Sequence, residues 1–286
     1  MKQADSYVRV SVENVHDLPD TPGVYLFYHH DESQPVYIGK SIHIKQRVMS
    51  HFQAAHHHGK AFKITHFCRS VAYFEMAGEL GALLLESRLI KQYRPRFNRR
   101  LIACKRLSTI TLDSINGCLV PKVVHQEPLN FHPNSCHYGY FRGGSSANRY
   151  LEQLCDQKGF CRKILGLESG GGPCFAYQLK RCQGACVDNA KLESQNHALK
   201  KYLRANQLRS WPYDGQIIIK EQGLNFIDSH VINNWRHIKT DRKGDDVMSG
   251  CILKSNDGSF DYDVYMILSA FMKRQDCSHQ LAPISV

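Results

Sequence analysis

The sequence predicts an α+β protein in three parts. These are a small antiparallel sheet flanked by helices over residues 17–101, a cysteine-rich region over 102–190 and a small β-rich domain over 191–286, after a lead-in over 1–16. Three observations predict it. A hairpin pattern, "GVYLFYH" then "PVYIGKS", is followed by helical periodicity. Four cysteines crowd into 161–186. The tail from "WPYDGQIIIKEQ" alternates apolar and polar residues.

Taken in order, the first strand spans about 23–29, a polar turn follows, and the second spans 35–39. Ser41 is a good helix N-cap. The helix "IHIKQRVMSHF" puts Ile42, Ile44, Val48, Met49 and Phe52 on one broad face and Arg47 on the other. "FKITHFCRSVAYFEMA" reads as one or two strands. A strong helix from Glu79 stops before Pro95. "LSTITLD" and "CLVPKVVHQ" form a further hairpin, "GYFRGGSSANRYLEQLCDQ" a strand and a helix, and about 190–207 a basic amphipathic helix.

Net charge is +11 over 286 residues, which favours a polyanionic partner over a neutral one. No apolar run nears the roughly 18 residues of a membrane span, so no membrane partner is expected. "MKQADSYVRV" lacks the apolar core of a signal peptide, and a cytoplasmic protein is expected. In that setting eleven cysteines point to reduced thiols or metal ligands rather than disulfides.

Two constellations carry chemistry. Side chains alternate along strands, so Tyr25 and Phe27 share one face. A hairpin symmetric about Asp31 would make Tyr25 and Tyr37 cross-strand neighbours; as ordinary strand tyrosines both would simply pack. In the helix from Glu79, Ala82, Leu83, Leu89, Ile90 and Tyr93 form an apolar face with Glu86 in its middle, and Arg88 and Lys91 lie opposite. A buried carboxylate needs a partner, either a salt bridge or a metal. The second constellation is Cys161, Cys174, Cys182 and Cys186, spaced C-x12-C-x7-C-x3-C. The short spacing suits zinc, and four thiolates equally suit an iron–sulfur cluster. Cys136 and Cys155 lie close in sequence and compete for the assignment. His51 and His56–His58 read as a histidine-rich exposed loop rather than a metal site. "NDGSFDYD" at 256–263 lacks calcium-loop spacing and reads as a turn.

"PGVY", "PVYIG", Lys40, Arg47, Glu86 and Asn98 together resemble the GIY-YIG nuclease superfamily. More closely, "LPDTPGVYLF", "PVYIGKSIHIKQRVMSHF" and "GELGALLLESRLIKQYRPRFNRRL" resemble the N-terminal nuclease of the UvrC family. "YFRGGSSANRYLEQL" and "GPCFAYQLKRCQGAC" resemble the segment that follows it, and the layout with its tail resembles the short Cho-type members, which make only a 3′ incision. The resemblance implies a GIY-YIG domain and a metal-dependent DNA endonuclease of nucleotide excision repair. Tyr37 would be the general base or relay to it, with Tyr25 on the scissile phosphate or sharing that role. Arg47 would clamp a phosphate oxygen, Glu86 hold Mg²⁺ or Mn²⁺, and Asn98 support the site. Lys40 would bias the potential so that a phenol of ordinary pKa about 10 can act as a base. Gly39 would leave room for a DNA backbone. The four cysteines would hold a [4Fe–4S] cluster, with zinc as the alternative. The implied partners are damaged double-stranded DNA and UvrB, with UvrA upstream, and a monomer is expected. A stand-alone structure-specific nuclease and a non-catalytic DNA-binding subunit with a structural cluster are the other functional classes; the intact Tyr25, Tyr37, Arg47 and Glu86 argue against the last.

Overall fold

The structure is a computed structural model. It describes residues 7–29, 33–54, 59–98, 108–125, 136–141, 143–244, 249–254, 260–275 and 281–283. His56–His58, the hairpin centre at Asp31 and most of the 256–263 turn lie outside these residues.

The chain opens with β1 (Val8–Ser11) and a 3-10 turn over Val12–Asp17. β2 (Gly23–His29) and β3 (Tyr37–Ser41) form the expected hairpin. α1 (Ile44–Gln53) follows. Ser41 does not cap it. The cap residue is His43, and the Ser41 hydroxyl instead closes a local turn by accepting the His43 N–H at 3.0 Å. Ile44 and Val48 are buried, but Ile42, ahead of the helix, is 49% exposed.

The segment read as strands splits into α2 (Lys60–Thr65) and β4 (Cys68–Glu75). Local β-propensity loses there to packing, because the helical turn drops Ile64 into the core beside Val48 and Phe27. α3 (Glu79–Tyr93) ends on Arg94 in the left-handed region (φ 48°), one residue before Pro95. The sheet order is β1-β4-β2-β3, all antiparallel. β2 is buried along its whole length, as a strand must be when both sheet faces are covered.

β5 (Ser108–Ile115) and β6 (Cys118–His125) join through Asn116–Gly117, both at positive φ, the geometry of a two-residue hairpin turn. β7 (Tyr138–Phe141) completes the order β6-β5-β7. α4 (Gly144–Lys158), the short α5 (Phe175–Gln178) and α6 (Asn189–Arg204) follow. Asp188 caps α6 by accepting the Ala190 N–H at 2.9 Å. Leu199 and Leu203 of α6 pack with Leu151 and Leu154 of α4 in one core.

The tail is β8 (Gln216–Gln222), β9 (Phe226–Asn233), β10 (Arg236–Gly244), β11 (Gly250–Lys254), α7 (Tyr262–Gln275) and β12 (Leu281–Pro283). The sheet order is β11-β10-β9-β8-β12. α7 was not foreseen among the alternating strands; its Tyr265 packs edge-on to buried Trp235, ring centroids 5.1 Å apart.

Two compact units result. One joins 1–103 with 212–286, and the other spans Cys104–Trp211. Among the described residues no helix is long and apolar enough to cross a membrane.

Candidate active site and cysteine centre

The β2–β3 register pairs Tyr25 with Gly39 and Phe27 with Tyr37. Tyr25 and Tyr37 are therefore diagonal rather than direct neighbours. The slip from the expected pairing is two residues, an even number, so both rings stay on one face. Their centroids lie 6.3 Å apart. Gly39 has a different purpose from the one expected. A Cβ there would meet the Tyr25 hydroxyl at 2.5 Å and Cζ at 2.6 Å, so the missing side chain is the space the phenol occupies.

α1 crosses this face and supplies Arg47 and, one turn on, His51. His51 Nε2 lies 2.9 Å from the Tyr25 hydroxyl, and its ring centroid 5.5 Å from that of Tyr37. Sequence reading passed over His51 as part of a histidine-rich loop. The signal was available: it stands four residues after Arg47, on the same helical face. Burial pushes the Tyr25 pKa far up; Tyr37 adds to the rise, and the Arg47 guanidinium opposes it. Tyr37 is also raised, by burial and then by the Glu86 charge, against the hydrogen bond with Tyr25 and the charge of Arg47. Both hydroxyls are therefore neutral phenols at neutral pH.

Lys40 does not lower them. Its ammonium is 2.5 Å from Glu79 Oε1, on the other side of β3 from Tyr37. Its backbone N–H donates to Glu86 Oε1 at 3.1 Å. Among the described residues Glu86 forms no salt bridge, and burial holds its carboxyl above the ordinary range, opposed by that N–H and by the Lys40 charge. A half-buried carboxylate with one oxygen uncommitted fits a divalent cation. Asn98 is buried and grips the backbone of Ile38 from both sides, accepting its N–H at 2.9 Å and donating to its carbonyl at 2.7 Å. That bidentate clamp sets where β3 carries Tyr37.

In the other unit the thiols of Cys161, Cys174 and Cys186 converge, with all three sulfurs within 4.8 Å of one another. Cys182 shares their buried cluster, and its sulfur accepts the Gly184 N–H at 3.4 Å. Neither competitor is among the three converging thiols. Cys155 belongs to the α4 core, where burial pushes its thiol up to about 11, and Cys136 is exposed near Gln207. Soft sulfur donors converging in a buried cluster suit zinc or iron–sulfur chemistry. Beside them the Gln195 side-chain Nε2 is buried with no hydrogen-bond partner, as an absent group would leave it.

The family described as the UvrC-like GIY-YIG domain matches residues 21–99. The UvrC/Cho excinuclease middle domain matches 110–205, and the excinuclease Cho C-terminal domain 216–285. Excinuclease cho of Shigella flexneri is 33% identical over 256 residues, covering 89% of this chain and 83% of that protein. UvrABC system protein C of Deinococcus radiodurans is 35% identical over 187 residues, which are 64% of this chain and 28% of that one. A magnesium-bound GIY-YIG N-terminal endonuclease domain of UvrC from Thermotoga maritima is 31% identical, with TM-score 0.27, covering 30% of this chain and 97% of that one. The chain belongs to the UvrC/Cho excinuclease family of GIY-YIG endonucleases.

Proposed function

We propose that this endonuclease acts in bacterial nucleotide excision repair, hydrolysing a DNA phosphodiester 3′ of a lesion on damaged duplex held by UvrB after loading by UvrA. The supporting observation is the convergence of Tyr25, Tyr37, Arg47, His51 and Glu86 from β2, β3, α1 and α3. The raised phenols argue against a standing phenolate. Instead Tyr37, Tyr25 and His51 form a relay. As water attacks phosphorus, its proton passes to the Tyr37 oxygen, the Tyr37 proton to Tyr25, and the Tyr25 proton to His51 Nε2. The P–O3′ bond breaks, and the leaving oxygen is protonated from solvent. Arg47, exposed on α1, neutralises charge building on the phosphate. Glu86 would hold Mg²⁺ or Mn²⁺, which would supply further positive charge at the phosphate and leaving oxygen. Lys40 and Asn98 position the strand and helix that carry these groups. In the second unit Cys161, Cys174, Cys182 and Cys186 hold a [4Fe–4S] cluster, zinc being the alternative. A cytoplasmic monomer fits this role.

Incision of a lesion-bearing duplex in Mg²⁺, with and without UvrB and UvrA, tests the proposal. Cutting should require UvrB, and Glu86→Gln and Arg47→Ala should abolish it while the protein stays folded. Efficient cutting without UvrB would mark a stand-alone structure-specific nuclease. Full activity in Glu86→Gln would remove the metal assignment.

A further inference from the structure

α6 turns one face toward the cysteines. Leu192 packs on their cluster, and Gln195, three residues on, is 6% exposed beside it. Gln195 Oε1 accepts the Cys161 backbone N–H at 2.8 Å. A backbone N–H can only donate, so that bond fixes which end of the amide is oxygen and leaves Nε2 with two hydrogens to place. Nε2 is buried, and among the described residues no acceptor meets it. A buried donor without a partner is costly, and native interiors rarely keep one.

We infer that Gln195 is a positioning residue for the metal group, its side-chain N–H donating to a sulfur that arrives with that group: an inorganic sulfide of an iron–sulfur cluster. This rests on the cluster reading above. A zinc tetrathiolate brings no sulfur beyond the four thiolates, and none of the cysteine sulfurs accepts from Nε2. Hydrogen bonds to sulfur stabilise the more negative, reduced state and raise the reduction potential. Gln195 also ties the group to Cys161 through the opposite end of the same amide. One side chain thereby holds a ligand's backbone and the group it ligates.

The test uses the full chain purified without oxygen. Iron and acid-labile sulfide are assayed first, since zinc alone in the wild type would overturn the cluster reading and this inference with it. Midpoint potentials are then compared in wild type, Gln195→Glu and Gln195→Leu. The first variant keeps the acceptor for Cys161 but exchanges the donor for a charge; the second is neutral and loses both. The loss they share is the donor. Both should lower the potential, by about 59 mV if the reduced-to-oxidised ratio changes tenfold in a one-electron couple. Pulsed EPR of the reduced cluster with ¹⁵N-labelled glutamine side chains should show a coupling that both variants lose. Iron-loaded, folded variants with wild-type potentials and no lost coupling would overturn the inference while leaving the cluster in place.

Discussion

The carboxylate of Glu221 accepts the backbone N–H of Gly81 at 2.7 Å, and that of Leu80 at 2.9 Å. β8 of the tail thus caps α3, the helix that carries Glu86. The helix needs it, because its own cap residue, Gly78, has no side chain, and a Cβ there would collide with Glu221. His230 Nε2 lies 3.0 Å from Oε2, the same oxygen that accepts from Gly81. Next to it Asp228 accepts the Ala77 N–H at 2.9 Å and pairs with Arg242 at 2.7 and 2.8 Å. Burial raises the Glu221 pKa, but His230 and the two backbone N–H groups outweigh it and hold the carboxyl low. Glu221→Gln should therefore cost about 1–2 kcal/mol of stability, read from urea unfolding. It should also weaken Mg²⁺ binding in calorimetry, because α3 carries Glu86, the proposed ligand. Unchanged values in both would remove the cap from the account of the site.

Gly39→Ala tests whether Tyr25 must lie across β3. The added methyl would displace a ring that is 1% exposed and packed on Phe27, with centroids 5.5 Å apart. Moving the hydroxyl by about 1 Å breaks its contact with His51, and misplacement of that size can cost roughly 100-fold in rate. Incision should fall by about that factor, with about 1–3 kcal/mol of stability lost to overpacking. Wild-type incision in a folded variant would show that the Tyr25–His51 contact is dispensable.

The nuclease sheet was legible because its signals are local. Alternation placed Tyr25 and Phe27 on one face, and in the other unit the adjacent runs "LSTITLD" and "CLVPKVVHQ" marked the β5–β6 hairpin. What escaped depended on partners far away in the chain. The turn centre hid the register, so Gly39 was read as space for DNA when Tyr25 fills it. Lys40 was read as a charge for the phenol because Glu79, its partner, is 39 residues on. His51 was masked by the histidines that follow it. Glu221, Asp228 and Arg242 look like ordinary polar positions of a strand, and only the pairing of the tail sheet with α3 gives them meaning.

His51→Gln separates the relay from a packing role. Glutamine keeps a group able to hydrogen-bond the Tyr25 hydroxyl but cannot take its proton. Loss of a positioned base costs about 10²–10⁴-fold, and single-turnover incision should fall within that range while DNA affinity stays. A loss of affinity with an unchanged rate would make His51 a binding residue instead.

If Glu86 holds the metal as proposed, it sets an acidic limb to metal binding. Burial raises its folded pKa, so the carboxylate is lost on acidification earlier than an ordinary glutamate with pKa about 4.3. Mg²⁺ affinity should fall as pH drops through a midpoint above that value. Isothermal titration between pH 8 and 5 reads it, and Glu86→Gln should bind no Mg²⁺ at this site at any of these pH values. A limb at the ordinary carboxylate value would refute the burial effect.

His237 links acid stability to the same brace. Its ring is buried and its Nε2 lies 2.8 Å from Thr240 Oγ1, which also meets His230 Nδ1 at 2.8 Å. Burial, then the charges of His230 and Arg88, lower its pKa to about 3. The unfolded chain takes up a proton near the ordinary histidine value of about 6.5, and the folded one does not. Stability from this group is therefore full above about 6.5 and lost as pH falls toward 3, by at most about 5 kcal/mol. Because β9 and β10 hold Asp228 and Arg242 against the start of α3, acid should loosen the nuclease helix along with the tail. Urea unfolding at pH 7 and 4.5 should show a drop that His237→Gln reduces. Equal drops in both proteins would mean that His237 is not the group that titrates.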